Sequence, residues 1–571
     1  MSGIASLVIR SGTVLDGSGG DPVEADVAIR DGRIAAIGRN LPRGDTEIDA
    51  TGKIVTPGFV DVHTHYDAQV TWSNRITPSS WNGVTTLMMG NCGVGFAPCR
   101  PDQRDLLVKL MEGVEDIPEV VLTEGLPWNW QSFDDYLDRL DARSYDLDIV
   151  TQVPHAAVRV FVMGERAVNH EPATAEDRAA MAKLAAAGIA SGALGFSTSR
   201  TLNHQTKAGN PTPTLRAEEE ELLEIAGAVG AVGSGWLQVI SDFDDPEAEF
   251  AMLRRIVARA GRPMTITVLQ RDARPEEWRR LMERVAAANA DGLPISGQVL
   301  TRPTGIMMGF EVSQNPFLGR PGYNAIADLP LAEKMAILRQ PEFRARLLAE
   351  TNPDAGLVRR LERWDRIFPL GDPPDYEPAA DKSVAARAAR EGRRPEDVAY
   401  DMLLEKDGKA ILYRPLSNYS YGNLDTVKDM ISHPNSLVGL GDGGAHVGVL
   451  SDASAITYML THWTRDRKVG AKLPLGWAVR RLTHDNAAAI GLNDRGLLRP
   501  GYKADVNVID YDRLRLHAPE VVYDLPSGGR RLIQKTEGYA ATLVSGIVVQ
   551  RDGVETGELP GHLVRGPKSP A

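Results

Sequence analysis

A chain of 571 residues is too long for one ordinary core, which predicts a large domain with a satellite. Its 43% hydrophobic and 25% charged residues are a globular composition and exclude a disordered chain. The formal net charge of −12 argues against a nucleic acid or an anionic membrane as main partner, while leaving room for an anionic small substrate in a locally basic pocket.

The opening, MSGIASLVIRSGTVLDG, lacks a basic stretch leading into a long apolar one, so no signal peptide is expected. No apolar run nears the roughly 20 residues that span a bilayer. SLVIRSGTVLDG alternates apolar and polar residues, as a half-buried strand does. ADVAIRDGRIAAIG holds two apolar runs joined by Arg30-Asp31-Gly32, a hairpin signal. The same pattern returns in ADVNVIDYDRL and ATLVSGIVVQRDG. Both chain ends, 1–58 and 491–571, are therefore expected to pair into one small β-sandwich beside a central domain of 59–490.

Through the centre, apolar strand candidates alternate with helical stretches. The strands expected are Phe59–His63, Val84–Cys92, Leu147–Pro154, Ala193–Ser199, Gly235–Ser241, Pro263–Gln270, Leu293–Leu300 and Ser436–Asp442. Strand–helix alternation implies a parallel sheet with crossover helices. Eight strands suit a closed (β/α)8 barrel of TIM type, with its site at the C-terminal strand ends. The runner-up is an open doubly wound sheet, but that fold wants a glycine-rich turn after its first strand, and THYDAQ stands there. Thr301 to Asn435 is too long for one crossover. This stretch reads as an insertion over the barrel mouth, either a lid or a contact between copies of the chain in a homo-oligomer.

Three places carry chemistry. His63 and His65 flank Thr64, and residues two apart in an extended segment point the same way, so both imidazoles can meet one metal ion at a strand end. Two ordinary core histidines would give the same pattern. Asp61 lies close enough to accept an imidazole N–H. Asp442 ends SLVGLGD and precedes Gly443-Gly444, which frees the carboxylate toward a pocket or makes a plain turn. The two cysteines, Cys92 and Cys99, share the segment GNCGVGFAPC; that is too few for a disulfide framework and fits a reducing cytoplasm.

KIVTPGFVDVHTHYD, GVTTLMMGNCGVGFAP, ASGALGFSTSR and RGLLRPGYKADVNVIDYD together resemble the amidohydrolase superfamily over nearly the whole chain, in particular its N-acyl-D-amino-acid deacylase (D-aminoacylase) branch. The resemblance implies a metal-dependent hydrolase of amide C–N bonds. By it, His63 and His65 bind a divalent metal, most readily zinc, and Asp442 touches the metal and serves as general base and then acid. Cys92 matches the branch's metal-binding cysteine, and Cys99 matches nothing.

Departures from the branch are equally plain. Gln238 stands where a fifth-strand histidine ligand is usual, and Val268 where a sixth-strand one is. Valine cannot bind a metal and a neutral glutamine binds zinc poorly. What remains is one zinc on His63, His65, Cys92 and Asp442. Gln270 replaces a lysine, and SGQVL lacks the branch's tyrosines, so the usual carboxylate contacts are altered. Candidate substrate contacts are His155, Arg159, Gln238, Gln270 and His446, with His204 as a further pocket residue. The expected substrate is a small-molecule amide: an N-acyl amino acid, or alternatively a small peptide, cyclic amide or aryl amide. A reading of another class is a ligand-binding protein on a disused scaffold.

Overall fold

The computed structural model describes residues 5–570, and in it all eight expected strands form and run parallel in chain order. They are β1 (Phe59–Asp61), β2 (Val84–Met89), β3 (Asp148–Pro154), β4 (Gly195–Arg200), β5 (Trp236–Ser241), β6 (Met264–Thr267), β7 (Ile295–Val299) and β8 (Ser436–Val438). Nearly every residue of β2, β3 and β6 is buried, as a parallel sheet sheathed by helices requires. The sheath includes Ala175–Ala190, Glu219–Val232, Pro246–Ala260 and Glu277–Ala290, each before the next strand. Local chemistry sets their ends. The Thr174 side chain accepts the Asp177 N–H while Asp177 accepts the Thr174 N–H, a reciprocal cap. Gly261, at φ 59°, stops Pro246–Ala260.

The sheet closes on itself just past β1 and β8, where a parallel bridge pairs Thr64 with Gly443. His65 N–H donates to the Gly443 carbonyl at 2.8 Å, and Asp442 N–H donates to the His63 carbonyl at 3.0 Å. Closure rules out the open doubly wound sheet and brings the C-terminal strand ends into one ring.

Strands from both chain ends share a second, nine-stranded sheet. Ile54–Pro57 lies antiparallel to Val506–Ile509, with Val55 opposite Val508. The hairpin at Asp31-Gly32 forms as expected. Its φ values of 52° and 71° are the left-handed pair that a two-residue turn needs. The stretch before the last strands departs from the sequence reading. Glu520–Leu525 and Gly529–Ile533 make a separate hairpin that packs back on the barrel mouth. There the Leu532 N–H meets the Val447 carbonyl at 2.6 Å, and Arg531 reaches the Thr77 carbonyl at 2.9 Å.

Between β7 and β8 the chain builds helices around a three-stranded antiparallel sheet of Gly305–Met308, Leu412–Pro415 and Phe368–Pro369. Phe310, Phe317, Tyr323 and Tyr400 give it a core of its own. It is tied to the mouth at two points: Ser313 donates to Asp116 at 2.8 Å, and Gln270 N–H donates to Asn418 at 2.8 Å. Among the described residues, no helix is long and apolar enough to cross a membrane.

At the N-terminal end of the strands, Asp148 is buried between Arg495 at 2.6 Å and Lys503 at 2.8 Å. Burial opposes its charge, but Lys503 and Arg495 outweigh burial and hold its pKa below the ordinary carboxylate range. Asp148→Asn removes the carboxylate that the two cations share and leaves Arg495 with Asp494 and Lys503 with Asp505, so it should cost about 1–3 kcal/mol, read as a lower denaturation midpoint. A depressed carboxylate pKa contributes fully above about pH 4 and progressively less as pH falls, so wild type and variant should converge in acid. Equal stability at neutral pH would remove Asp148 as the clamp.

Candidate metal centre

The site is built where the barrel closes. Thr64 donates its hydroxyl to the Met88 carbonyl at 2.7 Å, pinning the stretch after β1 against β2, and the residues on either side turn inward. His63 Nδ1 lies 2.5 Å from Gln298 Oε1. The Gln298 amide nitrogen is engaged with Thr265 Oγ1 at 3.2 Å, so its oxygen is the acceptor and His63 Nδ1 carries the proton. Nε2 is then free as a ligand. His65 Nδ1 lies 3.2 Å from Glu115 Oε1, an ion-pair contact without hydrogen-bond geometry, and its Nε2 is on the side of Asp442.

Cys92 follows β2 in a left-handed turn, φ 55°, between Gly90 and Gly93. A Cβ on Gly90 would stand 2.4 Å from the Gln152 carbonyl oxygen, so only glycine fits there. Gln238 Oε1 accepts the Cys92 N–H at 2.8 Å and Ser197 Oγ accepts the Gly93 N–H at 2.9 Å, fixing the turn. Cys92 Sγ stands 3.3 Å from His63 Nε2. Asp442 Oδ1 is 3.3 Å from His63 Nε2 and 3.6 Å from His65 Nε2. Both histidines and Cys92 are buried, whereas the Asp442 side chain keeps 20% of its surface open to the cleft.

These groups hold one another charged. Burial opposes a charge on His63, but Cys92 and then Asp442 lift its pKa to about 9. His65 is raised well above the ordinary histidine value, with Glu115 and Asp442 prevailing over burial. Burial likewise opposes ionisation of Cys92 and Asp442. The histidines nevertheless hold both below their usual ranges. The thiol and the carboxylate thus face two imidazoles whose pKa they raise, an arrangement that a divalent cation would suit.

The spacing fits such an ion. Tetrahedral zinc with bonds of about 2.0–2.3 Å sets its donors about 3.3–3.7 Å apart. The separations of 3.3, 3.3 and 3.6 Å match, and the donor atoms of His63, His65 and Cys92 all lie within 4.8 Å of one another.

Comparison with known proteins agrees with this geometry. Residues 46–550 match the model of the amidohydrolase family. The chain belongs to that family. Among curated relatives of this amidohydrolase, the D-aminoacylase of Alcaligenes xylosoxydans xylosoxydans is 27% identical, covering 98% of this chain and 97% of the relative. The N-acyl-D-aspartate deacylase of the same organism is 26% identical over 98% of this chain and 95% of its own. A crystal structure of D-aminoacylase superposes with a TM-score of 0.65 at 23% identity, over 98% of this chain and all of the other. The N-acyl-D-glutamate deacylase of Bordetella bronchiseptica, solved with zinc and a phosphonate inhibitor, gives 0.64 at 23% identity over 99% of this chain and 100% of that one. These superpositions establish the barrel fold.

The candidate substrate residues of the amidohydrolase fall into two groups. Gln238, His446 and His204 border the metal centre. Gln238 holds the Cys92 turn and leaves its own Nε2 buried without a partner. His446, left-handed at φ 50°, is half-buried, and its charge acts on Asp442. His204 bonds Ser199 at 2.9 Å; burial and then His446 and His65 push its pKa down to about 3, so it is neutral. The others are engaged elsewhere. His155 lies between Thr198 and Glu221, each at 2.8 Å, and Arg159 is paired with the same buried Glu221. Gln270 spends its amide on Thr426, Pro275 and Ser420, anchoring the end of the insertion. Val268 is fully buried and offers no donor atom, and Asp61 accepts the His63 backbone N–H rather than an imidazole.

Sequence reasoning missed Glu115 and Gln298. Gln298 had a signal, a polar residue inside an apolar strand run. Glu115, in MEGVED at the end of a helix, had none.

Losing the partner of either Nδ1 frees that ring to change tautomer. Gln298→Ala and Glu115→Gln should each weaken zinc binding by about 10–100-fold, measured by competition with a chelator. Unchanged affinity in both would show that the metal histidines need no such support.

Proposed function

We propose that this amidohydrolase hydrolyses the amide C–N bond of a small N-acyl amino acid, using one zinc ion held by His63, His65, Cys92 and Asp442. The observation that carries this is the convergence of two imidazoles, a thiol and a carboxylate at zinc spacing on the closing edge of the barrel. A thiolate with two imidazoles favours zinc over harder ions. Gln238 and Val268, where the branch has histidines, leave no second ligand set, which favours a single ion. Two free buried cysteines support a cytoplasmic location.

Zinc bound there would supply Lewis acidity, polarising the substrate carbonyl and acidifying a water. The protein's groups do the rest. Asp442, kept ionised by the histidines and partly open to the cleft, takes the attacking water's proton and hands it to the leaving nitrogen. Gln238 Nε2, an unpartnered buried donor beside Cys92, is the free hydrogen bond this site offers to a developing oxyanion. Glu115 and Gln298 keep both rings from rotating out of register.

Elemental analysis should give about one zinc per chain, reduced in Cys92→Ala and His65→Ala. Asp442→Asn keeps the shape of the side chain but not its basicity, and should lower kcat by at least about 10²-fold in steady-state assays. Full turnover in Asp442→Asn would sink the proton-transfer role. A panel of N-acyl amino acids of both hands, small peptides and aryl amides tests the substrate class. Binding without cleavage of any of them would make the chain a binding protein.

A further inference from the structure

The segment that leads away from β8 through Asp442 is wound against the preference of its residues. Leu440, Asp442 and His446 stand at φ 60°, 41° and 50°, a left-handed conformation that side chains disfavour. Such a turn keeps its shape only where its surroundings hold it. Its near end is held by barrel closure, and by the Ala445 N–H, which donates to the Asp442 carbonyl at 3.1 Å. Its far end, residues 447–449, is held from outside the barrel.

Three elements distant in the chain meet there. The Val447 N–H donates to the Glu115 carbonyl at 3.3 Å, and the Val447 carbonyl accepts the Leu532 N–H from the C-terminal hairpin. The Val449 carbonyl accepts the Met307 N–H at 2.9 Å, and the Gly448 carbonyl accepts the Ser313 N–H at 3.0 Å, both from the insertion. Asp116 joins these parts. Its Oδ2 accepts the Gly448 N–H at 3.2 Å and the Ser313 hydroxyl at 2.8 Å. The contact has no slack: a Cβ on Gly448 would stand 2.1 Å from Ser313 Oγ and 2.5 Å from Asp116 Oδ2. Asp116 is itself left-handed, at φ 53°, and ends the helix Arg104–Glu115.

The position of Asp116 bears on His65. That ring lies between two carboxylates, with Glu115 Oε1 3.2 Å from Nδ1 and Asp442 Oδ1 3.6 Å from Nε2. Asp116 directly follows the first and binds the loop that starts at the second.

We propose that Asp116 is a positioning residue that makes the insertion part of the metal centre. Its carboxylate, steadied by Ser313, fixes the Asp442 loop against the end of the Glu115 helix, and with it the two acids that bracket His65. The role rests on the zinc reading above. An ionised carboxylate suits it, because charge-assisted bonds to N–H and O–H donors are stronger than neutral ones.

The test measures zinc affinity by competition with a chelator, and hydrogen exchange of the amides of residues 443–450 by mass spectrometry. Asp116→Gly removes the acceptor yet suits the left-handed turn, while Asp116→Asn keeps both acceptor and turn. Gly448→Ala wedges the contact apart and leaves the carboxylate in place. Asp116→Gly and Gly448→Ala should each weaken zinc binding by about tenfold and speed exchange across 443–450. Ser313→Ala should do both to a smaller extent, and Asp116→Asn should stay close to wild type. Adding Ser313→Ala to Asp116→Gly should change little more, since both cut one contact. A lower denaturation midpoint with unchanged zinc affinity would leave Asp116 a merely structural role and overturn the proposal. So would Asp116→Asn falling as far as Asp116→Gly. A wild type that binds zinc but cleaves no amide defeats the hydrolase reading alone, and the affinities still decide this one. Should wild type take up no zinc, exchange decides: faster in Asp116→Gly and restored in Asp116→Asn supports the hold on the Asp442 loop, and unchanged exchange removes it.

Discussion

Everything in this molecule hangs on one short set of backbone hydrogen bonds. The bonds from His65 to Gly443 and from Asp442 to His63 close the barrel between its first and last strands. They also set the positions of three of the four candidate metal-binding groups. Cys92, the fourth, is held from the adjacent β2 edge, which Thr64 grips through Met88. Barrel closure and site assembly are thus the same event. A chain that failed to close would expose strand edges and would also lack a site, so fold and function share one register.

The second constraint is electrostatic. A thiol, two imidazoles and two carboxylates, Asp442 and Glu115, lie together largely out of water, and no single one of them would be tolerated there charged and alone. The histidines lower the pKa of Asp442, and the acidic groups around them raise the histidines' in turn. Behind the cluster, Asp61 and Asp67 carry no direct cationic partner, and burial raises each to about 7. The site is therefore a shell of tuned donors in front of acids that stay near neutrality.

Much of this was legible in the sequence, and what was missed shares a cause. Strand positions follow from apolar runs bounded by turn residues, so all eight could be read. His63, His65 and Asp442 were legible because each sits at the end of such a run. Glu115 reaches His65 from fifty positions further along the chain, and its helix shows only an ordinary acidic end; a contact of that kind leaves no trace in local pattern. The same blindness worked in reverse for Arg159 and His155. A basic pair after a barrel strand looks like a substrate clamp, but a single buried acid on the helix before β5, Glu221, absorbs both. Gln270 looked free because the loop that binds it arrives from Asn418, at the far end of the insertion. The hairpin at Glu520–Leu525 was assigned to the terminal sheet because strand pattern gives no address for its partner.

The departures from the deacylase pattern make sense together. Removing a histidine from β5 would leave the Cys92 turn without support unless the replacement could accept an N–H, and Gln238 does so at 2.8 Å. Removing one from β6 leaves a void against β7 unless it is filled, and Val268 fills it without a polar atom to satisfy. Each substitution loses a ligand but keeps the wall of the site intact, which is the opposite of what undirected decay would leave behind. The groups that remain at these strand ends are two imidazoles, a thiol and a carboxylate facing the cleft. Both replacements thus serve the wall of the candidate metal centre, Gln238 by holding the Cys92 turn and Val268 by packing.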